Sequence, residues 1–144
     1  MADYFTQFSC VLHVGTLENA AAAELIRDAL AGEIDGEDGA SLGFDMEVQP
    51  DAGAGALWIY SDGYGDPEHV IRFVLRCAET FSLSGSWGFT WAYTCSRPLL
   101  DGFGGAAHVL DLQARTTVAY VDCNTFVEEH LAAPRGETLK EDAS

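Results

Sequence analysis

Residues 42–81 read LGFDMEVQPDAGAGALWIYSDGYGDPEHVIRFVLRCAETF, and the order of elements they encode decides the fold. Leu42, Phe44, Met46 and Val48 alternate with Gly43, Asp45, Glu47 and Gln49. A period of two marks a half-buried strand, here with two carboxylates on its outer side. Pro50 and the glycines that follow make Gln49–Gly55 a turn, and Ala56–Tyr60 returns as the next strand. Asp66 as cap, Pro67 at the first helical position and Glu68 behind it then start a helix that runs to about Phe81. Its apolar residues, Val70, Ile71, Phe73, Val74, Leu75, Cys77, Ala78 and Phe81, cover an arc of roughly 200 degrees at 100 degrees per residue, so the helix is expected to be deeply buried. Glu68, Arg72, Arg76 and Glu79 are left to pair with one another on its wet side.

Working outward toward the N-terminus, Tyr4–Val14 alternates as a strand. Thr16 caps a following helix, with Glu18 in its first turn and Ala22, Leu25, Ile26, Ala29 and Leu30 on one face. That helix is expected to end near Leu30, with GEIDGEDGAS (32–41) as a mobile acidic loop. Toward the C-terminus, Gly85–Ser96 is a strand whose Trp87, Phe89, Trp91 and Tyr93 share one face. Arg97–Ala106 reads as a Gly-rich loop, and Ala107–Leu112 with Thr116–Val121 as a hairpin. Thr125 with Glu128 forms a capping-box pattern for a short last helix ended by Pro134. The order is βαββαβ followed by ββα. It implies an α+β fold, a ferredoxin-like βαββαβ core with an added β-hairpin and short C-terminal helix, on a mostly antiparallel sheet. Residues 1–133 are expected to form a single α+β domain and 134–144 a frayed acidic tail.

A chain of 144 residues with 48% hydrophobic content can bury roughly 70% of its unfolded surface, which excludes a disordered acidic segment. The formal net charge is −16, about twice the upper end of the roughly 2 to 8 that serves solubility in a small domain. Eleven of the carboxylates fall between Asp28 and Ile71 with no lysine or arginine among them. A run of this kind repels nucleic acid and attracts basic partners. Asp45 and Glu47, two apart on one strand face, lie about 6.7 Å from each other, close to the advance of every second phosphate along a DNA strand. The partner-binding residues are therefore expected to be Glu33, Asp35, Glu37, Asp38, Asp45, Glu47 and Asp51, with Trp87 and Trp91 as aromatic anchors.

Other chemistries find less in the sequence. Seven basic residues are too few for direct nucleic-acid binding by an aromatic sheet face. Cys10, Cys77, Cys95 and Cys123 show no CxxC spacing and no ligand histidine, so no metal site and no cofactor is expected. Cys95 and His108 are the one pair that could serve a small enzyme or ligand-binding protein as nucleophile and base, with Asp111 as orienting acid. His108 and Asp111, three apart on a strand, should point to opposite faces. No signal segment or membrane span is visible, which places the protein in the cytoplasm.

The stretch WAYTCSRPLLDGFGGAAHVLDL (91–112) is similar to a segment of small proteins of bacterial mobile elements. In size and acidity the whole chain resembles anti-CRISPR and anti-restriction proteins that mimic DNA. The resemblance implies a partner with a basic nucleic-acid groove, such as a CRISPR effector or restriction enzyme. Charge and resemblance together lead to the expectation of a non-enzymatic acidic inhibitor that competes with the DNA or RNA of a basic nucleic-acid-handling protein. An immunity or antitoxin protein for a basic toxin would carry the same charge. A homodimer stays open as an assembly.

Overall fold

A computed structural model describes residues 3–49, 55–100 and 102–132. The elements, in chain order, are β1 (Tyr4–His13), α1 (Leu17–Asp38), β2 (Asp45–Val48), β3 (Ala56–Ser61), α2 (Pro67–Phe81), β4 (Ser86–Cys95), β5 (Gly104–Asp111), β6 (Thr116–Asp122) and α3 (Cys123–Ala132). The fold is α+β, with the six strands in one sheet ordered β2-β3-β1-β4-β5-β6. Every pairing between named strands is antiparallel. One parallel bridge, Thr6 to Tyr64, ties the loop before α2 to β1. Both the turn 50–54 and the tail 134–144 with Pro134 lie outside the described residues.

Side chains directly opposite across an antiparallel pair share a face, so the registers sort the sheet into two sides. Phe8, Cys10 and Leu12 of β1 stand opposite Ser61, Ile59 and Leu57 of β3. All of these but Ser61 belong to or pack on one cluster with Leu30 and Ile34 of α1 and Val70, Phe73 and Val74 of α2. Most of these are fully buried, and burying a large aliphatic or aromatic side chain contributes roughly 1.5–3 kcal/mol. Helices α1 and α2 therefore lie on this face. The opposite face carries Ser9 and Val11 of β1, Trp58 and Tyr60 of β3, and Asp45 and Glu47 of β2.

The helix starts follow their local chemistry. The Thr16 side chain accepts the Asn19 N–H at 3.0 Å, and the Asp66 carboxylate accepts the Glu68 N–H at 2.9 Å. Helix α2 ends at Phe81, as its periodicity predicts. His69 sits on its buried side, where Nδ1 accepts the Gly43 N–H at 2.8 Å and Nε2 lies 3.2 Å from the Asp66 carboxylate. This latch holds the entry to β2 against the start of α2. Only glycine fits its centre, because a Cβ on Gly43 would come within 2.3 Å of the Asp66 Cβ.

Five expectations need correction. Leu25 and Ala29 are exposed, and the buried side of α1 is Ala20, Ala23, Leu30 and Ile34. Helix α1 does not stop near Leu30; it continues for two further turns through the supposed loop to Asp38 and is capped by Gly39 at φ 67°. Leu30 and Ile34, four apart and both fully buried, hold the extra turns to the core. Arg72 and Arg76 do not pair along α2 but reach across to Glu33 and Glu37 of that extension. Strand β5 starts at Gly104, earlier than expected, because Gly104 and Gly105 already pair with Tyr93 and Ala92. Helix α3 begins at Cys123, ahead of the Thr125 box: the Asp122 carboxylate accepts the Thr125 N–H at 3.0 Å and so supplies the cap.

Candidate functional site

The acidic run does not gather in one place. Its first part belongs to α1, where Glu33 holds Arg76 through two bonds of 2.6 and 2.9 Å. Arg72 lies 3.8 Å from Glu33 and 3.4 Å from Glu37. The Arg76 hydrogen bond, helped by the charges of Arg76 and Arg72, holds the Glu33 carboxyl below the usual carboxylate range. These two acids join the helices. Asp28 pairs with Arg27 at 3.1 Å. Asp35 and Asp38 are exposed beside them and make no ion pair among the described residues. Asp51 lies outside the described residues.

The second part lies on the sheet face that the two helices leave open. Strand β2 places Asp45 opposite Tyr60 and Glu47 opposite Trp58. The Trp58 and Tyr60 rings stack with centroids 4.0 Å apart and planes 23° from parallel. Both rings are fixed by their polar ends. Tyr60 donates to the Glu47 carboxylate at 2.7 Å, and Trp58 Nε1 donates to Ser9 Oγ at 2.8 Å. The hydrogen bond to Glu47, then partial desolvation, then the charges of Glu47, Asp45 and Asp62, push the Tyr60 phenol up to about 12. Three carboxylates thus bear on one phenol, and none of them has a basic partner among the described residues. Along the same strands, Phe5 packs against the exposed ring of Tyr64 at 5.9 Å.

The aromatic row of β4 has a different role. Trp91 and Phe89 are 7% and 6% exposed and face the helices, with Phe89 against Phe8 at 6.0 Å. Trp91 is nearly buried on the helix side of the sheet, away from the open face; Trp87 is half-buried, its Nε1 spent on the Val11 carbonyl at 2.8 Å. The reason is the side on which the helices land, which strand alternation does not specify. The outward aromatics are Trp58 and Tyr60, and a signal for them exists in the sequence. In ALWIYS (56–61) the rings alternate with the aliphatic Leu57 and Ile59, so they must occupy the opposite face.

Cys95 and His108 do not meet. His108 stands opposite Phe89 on β4, six positions before Cys95, which separates the two by roughly 20 Å at about 3.3 Å per residue. Asp111 points to the other face and accepts the N–H groups of Gln113 and Ala114 in the β5–β6 turn. All four cysteines are free, and burial pushes the Cys10 and Cys77 thiols up to about 12. Among the described residues no cluster of three His, Cys, Asp or Glu is placed to hold a metal, and no helix is long and apolar enough to cross a membrane.

No protein-family model matches the chain, and none of the curated proteins or solved structures matches it either.

Proposed function

We propose that this chain is a non-enzymatic acidic binding protein that docks on a basic, nucleic-acid-handling protein of a defence system and competes there with DNA or RNA. The docking surface in this reading is the open sheet face around Asp45, Glu47, Asp62, Trp58 and Tyr60. One observation carries it: three carboxylates without a basic neighbour bear on a Trp–Tyr stack that is held rigid on a sheet face no helix covers. Aromatic planes beside carboxylates suit arginine side chains, which stack on rings and donate to carboxylates at the same time. The formal net charge of −16 would speed encounter with a basic partner by roughly 10- to 1000-fold at low salt. With Glu33 and Glu37 tied to arginines, this surface is smaller than the continuous acidic run read from the sequence.

The first six elements form a ferredoxin-like core in this proposal. Its support is the neighbour order β2-β3-β1-β4, with two helices on one face and the hairpin β5–β6 added beside β4. A catalytic alternative built on Cys95 and His108 lacks support, given the register that separates them. An immunity protein against a basic toxin would use the same surface, and the identity of the captured partner separates the two.

The test is affinity capture from bacterial cytoplasm at low and moderate salt, with the native chain and with Asp45→Lys/Glu47→Lys side by side. Expected are basic nucleic-acid-handling proteins that duplex DNA displaces, retained on the native chain and lost from the variant. Measured on a purified partner, the double reversal should lower the association rate at least about tenfold and flatten its salt dependence. Equal capture by both chains would end the proposal.

A further inference from the structure

Beyond the open sheet face, on the helix side, the hairpin β5–β6 projects past α2 and leaves a cavity of about 420 Å³. Its walls are Trp91 and Tyr93 of β4, His108 of β5 and Tyr120 of β6, and its rim is the first turn of α2 with Asp66 and Glu68. The rings are set as tilted walls. Trp91 and Tyr120 have centroids 6.2 Å apart at 33°, and His108 meets Tyr120 edge-on at 5.5 Å. The ring nitrogens of two of them are already engaged, because Trp91 Nε1 donates to the Tyr93 hydroxyl at 2.8 Å and His108 Nε2 lies 2.8 Å from Thr117 Oγ1. What these rings offer a ligand is mainly their faces.

We infer that this cavity is a binding site for a methylated ammonium group, held against the faces of Trp91, Tyr93 and Tyr120 with Glu68 and Asp66 supplying the counter-charge. A quaternary ammonium has no hydrogen to donate, so it gains most from ring faces and a nearby carboxylate and loses nothing where acceptors are scarce. An anion fits the site badly. The start of α2 offers about half a positive charge, but two carboxylates stand on the same turn. Asp66 already caps the helix by accepting the Glu68 N–H. Arg72, the next basic residue along α2, is turned away toward Glu33 and Glu37. The Tyr120 phenol is raised, first by desolvation and then by Asp122, Tyr93 and Glu68. This inference does not depend on the open sheet face, which lies on the other side of the sheet.

Choline and a peptide bearing one trimethyl-lysine are the probes, with 3,3-dimethylbutan-1-ol and the unmethylated peptide as their controls. Binding is followed by the indole N–H signals of the tryptophans in NMR titration, which separate Trp91 in the cavity from Trp58 on the sheet face. The expected result is a shift centred on Trp91, with choline or the methylated peptide binding at least about tenfold more tightly than its control. The tighter of the two reveals whether the group arrives free or on a protein side chain. Tyr120→Ala and Glu68→Gln should each weaken binding, while Tyr120→Phe keeps it. Tyr120 is 55% exposed, so these variants should fold. Equal affinity for the neutral alcohol, a shift centred on Trp58, indifference to both weakening variants, or no binding by either probe would overturn the inference.

Discussion

The phenol of Tyr60 donates to Glu47 at 2.7 Å, and that bond exists only while the phenol keeps its proton. The folded chain holds the group at about 12, whereas an unfolded tyrosine ionises near about 10. A raised pKa of this kind stabilises the fold fully below pH 10 and is lost as the pH climbs toward 12. The absorbance of ionised tyrosine should therefore show late phenols at Tyr60 and Tyr120, of which the first moves back toward about 10 in Glu47→Gln and is lost in Tyr60→Phe. A late titration unchanged by both substitutions would place the carboxylates away from Tyr60. At this scale the sequence is half legible. Asp45 and Glu47 follow from alternation alone, and so do Trp58 and Tyr60 as a pair on one parity. Which parity faces water depends on the packing of helices from distant segments, and for this reason alternation alone does not show that the richer row on β4 faces the helices.

Among the elements, α1 departs furthest from its sequence pattern. Its start at Thr16 is legible because a cap is local chemistry. Its end is not legible, because Gly32 and Gly36 each cost roughly 1 kcal/mol against alanine in a helix interior and nothing nearby in sequence offsets them. The compensation is tertiary: Ile34 seats in the core, and Glu33 and Glu37 meet arginines of α2 that are likewise four apart. Neither glycine is required by packing, since a Cβ at Gly32 or Gly36 would find no atom within 4 Å. Gly32→Ala and Gly36→Ala should each stabilise the protein by about 0.5–1 kcal/mol, seen as a higher denaturant midpoint at unchanged slope. Destabilisation by either would mean that the helix ends where its apolar face does. Helix α2, by contrast, was legible throughout, since cap, proline and apolar arc agree on the same residues.

For the molecule as a whole, the α+β class with its mostly antiparallel sheet was readable from the succession of periods, and charge from composition. The gathering of charge was not, because it depends on folding. The run divides between a helix ridge bound to arginines, a cluster on the open sheet face, and the rim of the cavity at the start of α2. Self-repulsion from a formal charge of −16 is screened within about 8 Å at physiological ionic strength. The two outer strands of the sheet meet this situation differently. Strand β2 has four residues, two of them acidic, and shortness with charge is a known guard for such a strand. Strand β6 reads TTVAYVD, leaves Val118, Tyr120 and Val121 exposed, and continues into α3 with Phe126, Val127 and Leu131 exposed as well. Its lateral backbone groups have no neighbouring strand among the described residues. Copies of this chain are thus expected to be kept apart by long-range repulsion more than by the shape of that border. Sedimentation should show single chains in dilute buffer and growing association as salt rises, suppressed by Val121→Lys. A population that stays single in strong salt would mean that the border is closed by other means. The same ionic strength that would loosen the proposed hold on a basic partner would then bring copies of the chain together, so salt would act on the two associations with opposite sign.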